Sequence, residues 1–218
     1  MPLHIGFDWD GTVAQKELGD EAVLGMCKVL GLSFTLDQIQ IMQKTHAHYP
    51  LLTEAVREDT GITDDRVLTQ CMVDLFESQY LVLLSVYREK TIYPGMQEVV
   101  RELASEGHRL TIVSGQVHTA LAKALEFTGM KNCFTHVFGL PHDLRYTKNQ
   151  VAQYAVEKTG KLDIMIGDRE DDILAGKAVG AKTIWVPWGH GKLTNGIWPD
   201  HNPETPQGLL EIIRHEHS

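Results

Sequence analysis

From Met96 onward the chain alternates short apolar runs with helix-patterned segments, and that alternation limits its fold more than any other feature. Helices are expected over Met96 to Ser105, Val117 to Phe127, Thr147 to Lys158 and Asp172 to Val179. Between them lie strand-like runs at Arg109 to Val113, His136 to Phe138, Asp163 to Ile166 and Thr183 to Val186. Strands that alternate with helices pair in parallel, because the helical crossover returns the chain to the same end of the sheet. The reading is an α/β fold, a doubly wound parallel sheet with helices on both faces.

One strand stands apart. Leu3 to Phe7 is short, apolar and stopped by a turn-rich Asp-Gly-Thr. The alternation then breaks for some 80 residues. Glu21 to Leu30, Leu36 to His46 and Asp64 to Tyr87 carry helix-like apolar spacing. In the last, Val67, Cys71, Leu75, Ser78, Val82 and Ser85 follow helical steps, with Asp64 as N-cap. The simplest account is an inserted α-helical cap at 14–91, within a core formed by 1–13 and 92–218.

Two carboxylates, Asp8 and Asp10, follow the first strand at i and i+2. Side chains two apart on an extended chain point the same way. Such a pair repels unless a cation or a phosphate-binding system compensates. Gly11 lets the chain turn sharply there. In open parallel sheets, ligands bind beyond the carboxyl ends of the strands. On its own the run is equally well read as a turn with two solvated acids. Other strand ends add to it. Ser114 and Gly115 follow Val113, offering a hydroxyl and a backbone N–H at a helix start, suited to an anion. Lys148 opens a helix and brings a point charge. Gly167-Asp168 and Asp171-Asp172 follow Ile164-Met165-Ile166 with hard oxygen donors of the kind Mg²⁺ prefers. Each has a plainer alternative: a helix N-cap for Ser114, a surface lysine, acids that complement a helix dipole. Four coincidences in this order are needed for the plain account.

The remaining composition narrows the partners. Lys and Arg number 20 against 29 Asp and Glu, a net charge of −9, which speaks against a nucleic-acid partner. The cysteines, Cys27, Cys71 and Cys133, form no CxxC pair, so neither a disulfide framework nor a zinc site is expected. No signal peptide and no apolar run of membrane-spanning length is read, and the expectation is a cytoplasmic protein with no membrane partner. Oligomeric state is left open.

Taken together, these motifs resemble those of the haloacid dehalogenase superfamily, and specifically its helical-cap, phosphoglycolate phosphatase-like members. Asp8-Trp9-Asp10-Gly11-Thr12 is similar to the family's first motif, Ser114 to its second, Lys148 to its third and Gly167 to Asp172 to its fourth. Tyr93-Pro94-Gly95 resembles the return to the core, and Asp172 to Ala181 resembles the segment after the fourth motif. The resemblance implies an Mg²⁺-dependent phosphomonoester hydrolase acting on a small phosphorylated metabolite. It makes Asp8 the nucleophile that becomes an aspartyl-phosphate, and Asp10 the acid and base. Ser114, Gly115 and Lys148 would hold phosphate oxygens. Asp8, Asp168, Asp172 and the backbone carbonyl of Asp10 would hold the metal, with Asp171 competing with Asp172. Family phosphonatases share the Asp-Trp pair but carry alanine at position 10, so Asp10 points to phosphate esters. The sequence departs from the family in having no proline after Lys148 and in having Arg169 where a small hydroxyl residue is common. Arg169 is read as a surface residue or a partner of Asp171. A phosphomutase of the β-phosphoglucomutase kind, or a non-catalytic binding protein on the same fold, are the alternatives.

Weaker signals remain. His46 and His48, with Lys44 and Arg57 nearby, could face the site from the cap, but a solvated helix end is the simpler reading. Lys16 is similar. His215-Glu216-His217 reads as a frayed tail. Trp185, Trp188 and Trp198 read as packing residues, and 187–206 as a long loop.

Overall fold

The computed structural model describes residues 1–44, 48–140, 146–189, 191–193 and 196–217. Among the described residues five strands, β1 (His4–Phe7), β2 (Arg109–Val117), β3 (His136–Leu140), β4 (Ile164–Gly167) and β5 (Lys182–Trp185), form one parallel sheet in the order β3-β2-β1-β4-β5. The expected doubly wound sheet is therefore present. Along each strand the side chains alternate between two apolar layers. Ile5, Phe7, Leu110, Ile112, Ile164 and Ile166 face one layer, shared with α5 (Met96–Ser105), α6 (His118–Phe127) and α9 (Pro206–His217). Val113 and Met165 face the other, shared with α7 (Lys148–Thr159) and α8 (Glu170–Ala178).

The register places the site. Phe7 pairs with Ile112 on one side and Ile166 on the other, so β1 and β4 end within a residue of each other while β2 runs on to Val117. The chain leaves β1 toward β2 on one side and later crosses to β4 on the other. The crevice at such a switch point lies beyond the carboxyl ends of β1 and β4. Asp8 and Asp168 stand there.

Between β1 and α5 lie α1 (Glu17–Val29), α2 (Leu36–Lys44), α3 (His48–Thr60) and α4 (Asp65–Tyr87). The way out of the sheet and the way back run side by side, with Gln15 N–H donating to Thr91 O at 2.8 Å and Tyr93 N–H to Val13 O at 2.9 Å. Asp64 caps α4 as expected, accepting from the N–H groups of Arg66 and Val67. The apolar residues of this block divide. Met26, Cys27, Ile39, Leu52, Val56, Leu68 and Met72 build a cluster of their own. Leu18, Ala22, Val73, Tyr80 and Leu84 join the layer against the sheet.

Several expectations need correction. The buried face of α4 is Leu68, Met72, Val73, Tyr80 and Leu84, not the stripe through Val67 and Val82, which are exposed. The helix is apolar on nearly every side, so spacing alone does not select its inner face. Residues 65–91 also include an 18-residue window with a mean hydropathy of 1.2, long and apolar enough for a membrane span by length and composition. Its inner face is already occupied by packing on α1, α3 and α6. Helix α3 is not among the expected helices; Pro50 lies in its first turn, where no N–H is needed. His215-Glu216-His217 is not a frayed tail: it continues α9, which buries Leu209, Leu210 and Ile213, and Glu216 meets Lys182 and, at 2.8 Å, His201 Nε2.

Candidate active site

Asp8 continues β1 by one residue, its N–H donating to Ile166 O at 2.9 Å. The next residues wind into a tight turn in which Trp9 O accepts the N–H groups of Thr12, Val13 and Ala14. Gly11 sits at φ +82°, and a Cβ there would fall 2.5 Å from Asp168 Oδ2. Glycine is thus required twice over: for the backbone conformation and for the approach of the Asp168 carboxylate. Gly189 makes room for the same carboxylate, since a Cβ there would come 2.2 Å from Oδ2.

The structure brings together Asp8, Asp168 and Asp172, all buried, with donor oxygens within 4.8 Å of one another. Lys148, the first residue of α7, forms ion pairs with both Asp8 and Asp172. Thr147 starts that helix with a capping box to Gln150, which fixes the position of Lys148. Asp172 lies in the first turn of α8, fully buried, and accepts the N–H of Arg169 at 2.9 Å. Asp171 turns away, pairing with Arg169 at 3.5 Å and 41% exposed. The carboxylate that joins the cluster is therefore that of Asp172.

Electrostatics follow from the burial. Loss of water pushes the Asp8 carboxyl above its ordinary value; Lys148 opposes this and Asp168 adds to it. Burial and the Asp8 charge push Asp172 well above its own. Burial works against the charge on Lys148, yet Asp172 and Asp8 hold it above the usual lysine range. Three buried carboxylates face one buried ammonium, so that with all three ionised two negative charges would be in excess. That excess, on hard oxygen donors, is what one divalent cation of the Mg²⁺ type would neutralise. The residues fit the metal on that ground.

Ser114 is buried and Gly115 exposed, and both lie inside β2 rather than at a helix start. Helix α6 begins only at His118, so Ser114 is not an N-cap and the Gly115 N–H does not belong to a helix terminus. The cause is an irregularity in the pairing of β2 with β3 between Val113 and Val117, which carries the strand four residues further than expected. Ser114 Oγ instead accepts the N–H of Gln116 at 3.2 Å.

Asp10 stands apart from the buried trio, half-buried, and both its oxygens are held. Gln116 Nε2–H donates to Oδ2 at 2.9 Å and Tyr80 Oη–H to Oδ1 at 3.4 Å. Neither residue was read from the sequence. Nothing local in the sequence pointed to either. Two tryptophans read as packing residues also tie down the backbone of the site. Trp185 Nε1 donates to Asp168 O at 2.7 Å and Trp188 Nε1 to Thr12 O at 3.1 Å. Trp198, by contrast, is 75% exposed. Arg57 pairs with Glu54 and Asp65 inside the helical block. His46, and the side chains of Lys44 and His48, lie outside the described residues.

A sequence model of the haloacid dehalogenase-like hydrolases matches residues 3–180, and the chain belongs to that family. Its relatives there are phosphatases. It is 26% identical to a phosphoglycolate phosphatase of Colwellia psychrerythraea, with 95% of each chain covered. It is 27% identical to that of Aquifex aeolicus, over 65% of this chain and 67% of the relative. A pyrophosphatase PpaX of Listeria monocytogenes is 32% identical over 57% of this chain, and the match spans only 60% of the length of that enzyme. Among solved structures, a predicted phosphatase from Clostridium acetobutylicum superposes with a TM-score of 0.72 at 20% identity, covering 99% of both chains. That likeness speaks for the fold.

Proposed function

We propose that the protein is an Mg²⁺-dependent phosphomonoester hydrolase acting on a small phosphorylated metabolite, of the phosphoglycolate phosphatase-like kind. The observation that carries this reading is the buried group of Asp8, Asp168, Asp172 and Lys148 at the carboxyl end of the sheet. The names of the relatives support it.

Asp8 is the nucleophile. Its ion pair with Lys148 opposes the rise in pKa that burial causes and favours the ionised, nucleophilic form. A carboxylate oxygen of Asp8 attacks phosphorus, the ester P–O bond breaks, and Asp10 gives the leaving oxygen a proton. Asp10 then takes a proton from water as that water attacks phosphorus and releases phosphate from Asp8. Asp10 is near enough in sequence to follow Asp8 to the same crevice, yet its carboxylate is not consumed by the buried trio. Ser114, Gly115 and Lys148 are the residues assigned to the phosphoryl oxygens.

Asp8, Asp168, Asp172 and the carbonyl of Asp10 would hold Mg²⁺, which when bound neutralises the charge of the transferring phosphoryl group. The helical block 14–91 is proposed as a cap over the crevice, with 1–13 and 92–218 as the core. A cap of this kind excludes water from the first step.

The test is phosphate release from a panel of phosphate esters with Mg²⁺, beside Asp8→Asn. The wild type is expected to release phosphate and Asp8→Asn to lose the activity while unfolding at a similar denaturant concentration. Near-normal rates in Asp8→Asn would sink the covalent mechanism, and sugar phosphate isomerised without phosphate release would favour a mutase.

A further inference from the structure

Asp10 is gripped from two sides, and the direction of each grip is determined by a further partner. Gln116 Oε1 accepts the N–H of Val117 at 2.9 Å, so its amide nitrogen faces Asp10 and not the reverse. Tyr80 Oη accepts the indole N–H of Trp9 at 2.9 Å. An indole can only donate, so the phenolic proton is left for Asp10.

These holders are rigid. Trp9 and Tyr80 are fully buried and Gln116 is 7% exposed. The Tyr80 ring stacks on Phe76 at 5.6 Å between centroids. The backbone of Gln116 lies so close to β3 that a Cβ at Gly139 would come 2.6 Å from its carbonyl oxygen. The two donors also come from different places, Gln116 from strand β2 and Tyr80 from the last turns of α4. An exposed acid at a turn needs neither.

We propose that Tyr80 and Gln116 are positioning residues for Asp10, fixing its carboxylate toward the oxygen of a leaving alcohol, with Trp9 orienting Tyr80. This rests on the reading of Asp8 as nucleophile and Asp10 as proton donor. When the ester P–O bond breaks, its electron pair stays on the leaving oxygen. An alkoxide needs a proton at that moment, whereas a dinitrophenolate is stable without one. Two buried donors spent on aiming the acid therefore fit substrates that are alkyl phosphates, with poor leaving groups.

The test compares kcat/KM, which reports transfer to Asp8, for two substrates: the alkyl phosphate hydrolysed fastest in the panel, and 2,4-dinitrophenyl phosphate. Tyr80→Phe and Gln116→Leu should each lower kcat/KM for the alkyl ester about 10- to 100-fold and for the dinitrophenyl ester by less than about 3-fold, since general acid catalysis is worth about 10²–10⁴. In an Asp10→Asn background neither should cause a further loss, because both act through Asp10. Equal losses on the two esters, no loss on either, or a loss that persists without Asp10 would overturn the proposal. If Tyr80→Phe fails to fold, Gln116→Leu, on a different element, carries the same test. An Asp8→Asn enzyme that still hydrolyses would sink the nucleophile reading itself; uniform losses beside an inactive Asp8→Asn would sink only the positioning role.

Discussion

Lys148 and Asp172 form an ion pair between the first turns of two neighbouring helices, α7 and α8. A helix N-terminus disfavours a cation, so Lys148 is stationed against its own helix dipole. What holds it there is the pair of carboxylates, Asp172 and Asp8, that meet its ammonium.

Removing that ammonium leaves three buried carboxylates facing one another. Lys148→Met should therefore destabilise the protein in EDTA at pH 7 by about 3–5 kcal/mol, the usual consequence of breaking a buried pair from one side. Excess Mg²⁺ should restore part of the loss. Urea unfolding with and without the cation measures both; a change below about 1 kcal/mol would contradict the ion-pair account.

Divalent cation binding to Asp8, Asp168 and Asp172 should stabilise the folded state. At a Mg²⁺ concentration 100 times Kd, the gain is about 2.7 kcal/mol if the unfolded chain does not bind. The melting temperature should rise with Mg²⁺ in the wild type and stay flat in Asp168→Asn.

Gly189→Ala places a methyl group 2.3 Å from Asp168 Cβ. No real contact is that short, so the Asp168 carboxylate or the 187–189 backbone must shift. Overpacking of this kind costs about 1–3 kcal/mol. The Mg²⁺-dependent rise in melting temperature should weaken as well, because Asp168 is displaced. A variant with wild-type stability and cation response would show that the segment yields freely.

Tyr80→Phe keeps the ring and its stacking on Phe76 but leaves the buried Trp9 Nε1–H without its acceptor. An unsatisfied buried donor costs about 1–3 kcal/mol. The unfolding free energy should fall by that amount, with the urea midpoint moving down at an unchanged slope. An unchanged midpoint would mean that Trp9 finds another partner.

Tyr87, at the end of α4, donates to Glu21 Oε1 of α1 at 2.6 Å. Burial, reinforced by that bond, pushes its pKa up to about 12. The folded state then holds the proton longer than the unfolded chain, whose tyrosines titrate near pH 10. The contribution is fully present below pH 10 or so and is lost as pH rises toward about 12. Stability should fall more steeply across that window in the wild type than in Tyr87→Phe; identical slopes would remove the contact from the account.

Some features of this chain were determined locally and were legible as sequence. The i, i+2 spacing of Asp8 and Asp10, the glycine after them, the capping of α7 at Thr147 and the acids after Gly167 are all properties of a few consecutive residues. Strand–helix alternation then made the sheet parallel, and a parallel sheet gathers its strand ends on one side. That is why the sequence alone groups Asp8, Lys148, Asp168 and Asp172. Other features depended on contacts between distant segments. Gln116 reaches Asp10 only because β2 runs past Ser114 through an irregular pairing with β3, where the sequence pattern suggested a helix start. Tyr80 reaches it only because of how α4 is rotated about its axis. Leucines and valines surround that helix, so its sequence leaves the rotation undetermined; packing against α1, α6 and the sheet decides it. The chain's own sequence thus determined which carboxylates sit at the end of the sheet. The tertiary structure alone decided which side chains aim them, because a hydrogen bond between residues 70 or 106 positions apart has no local signature.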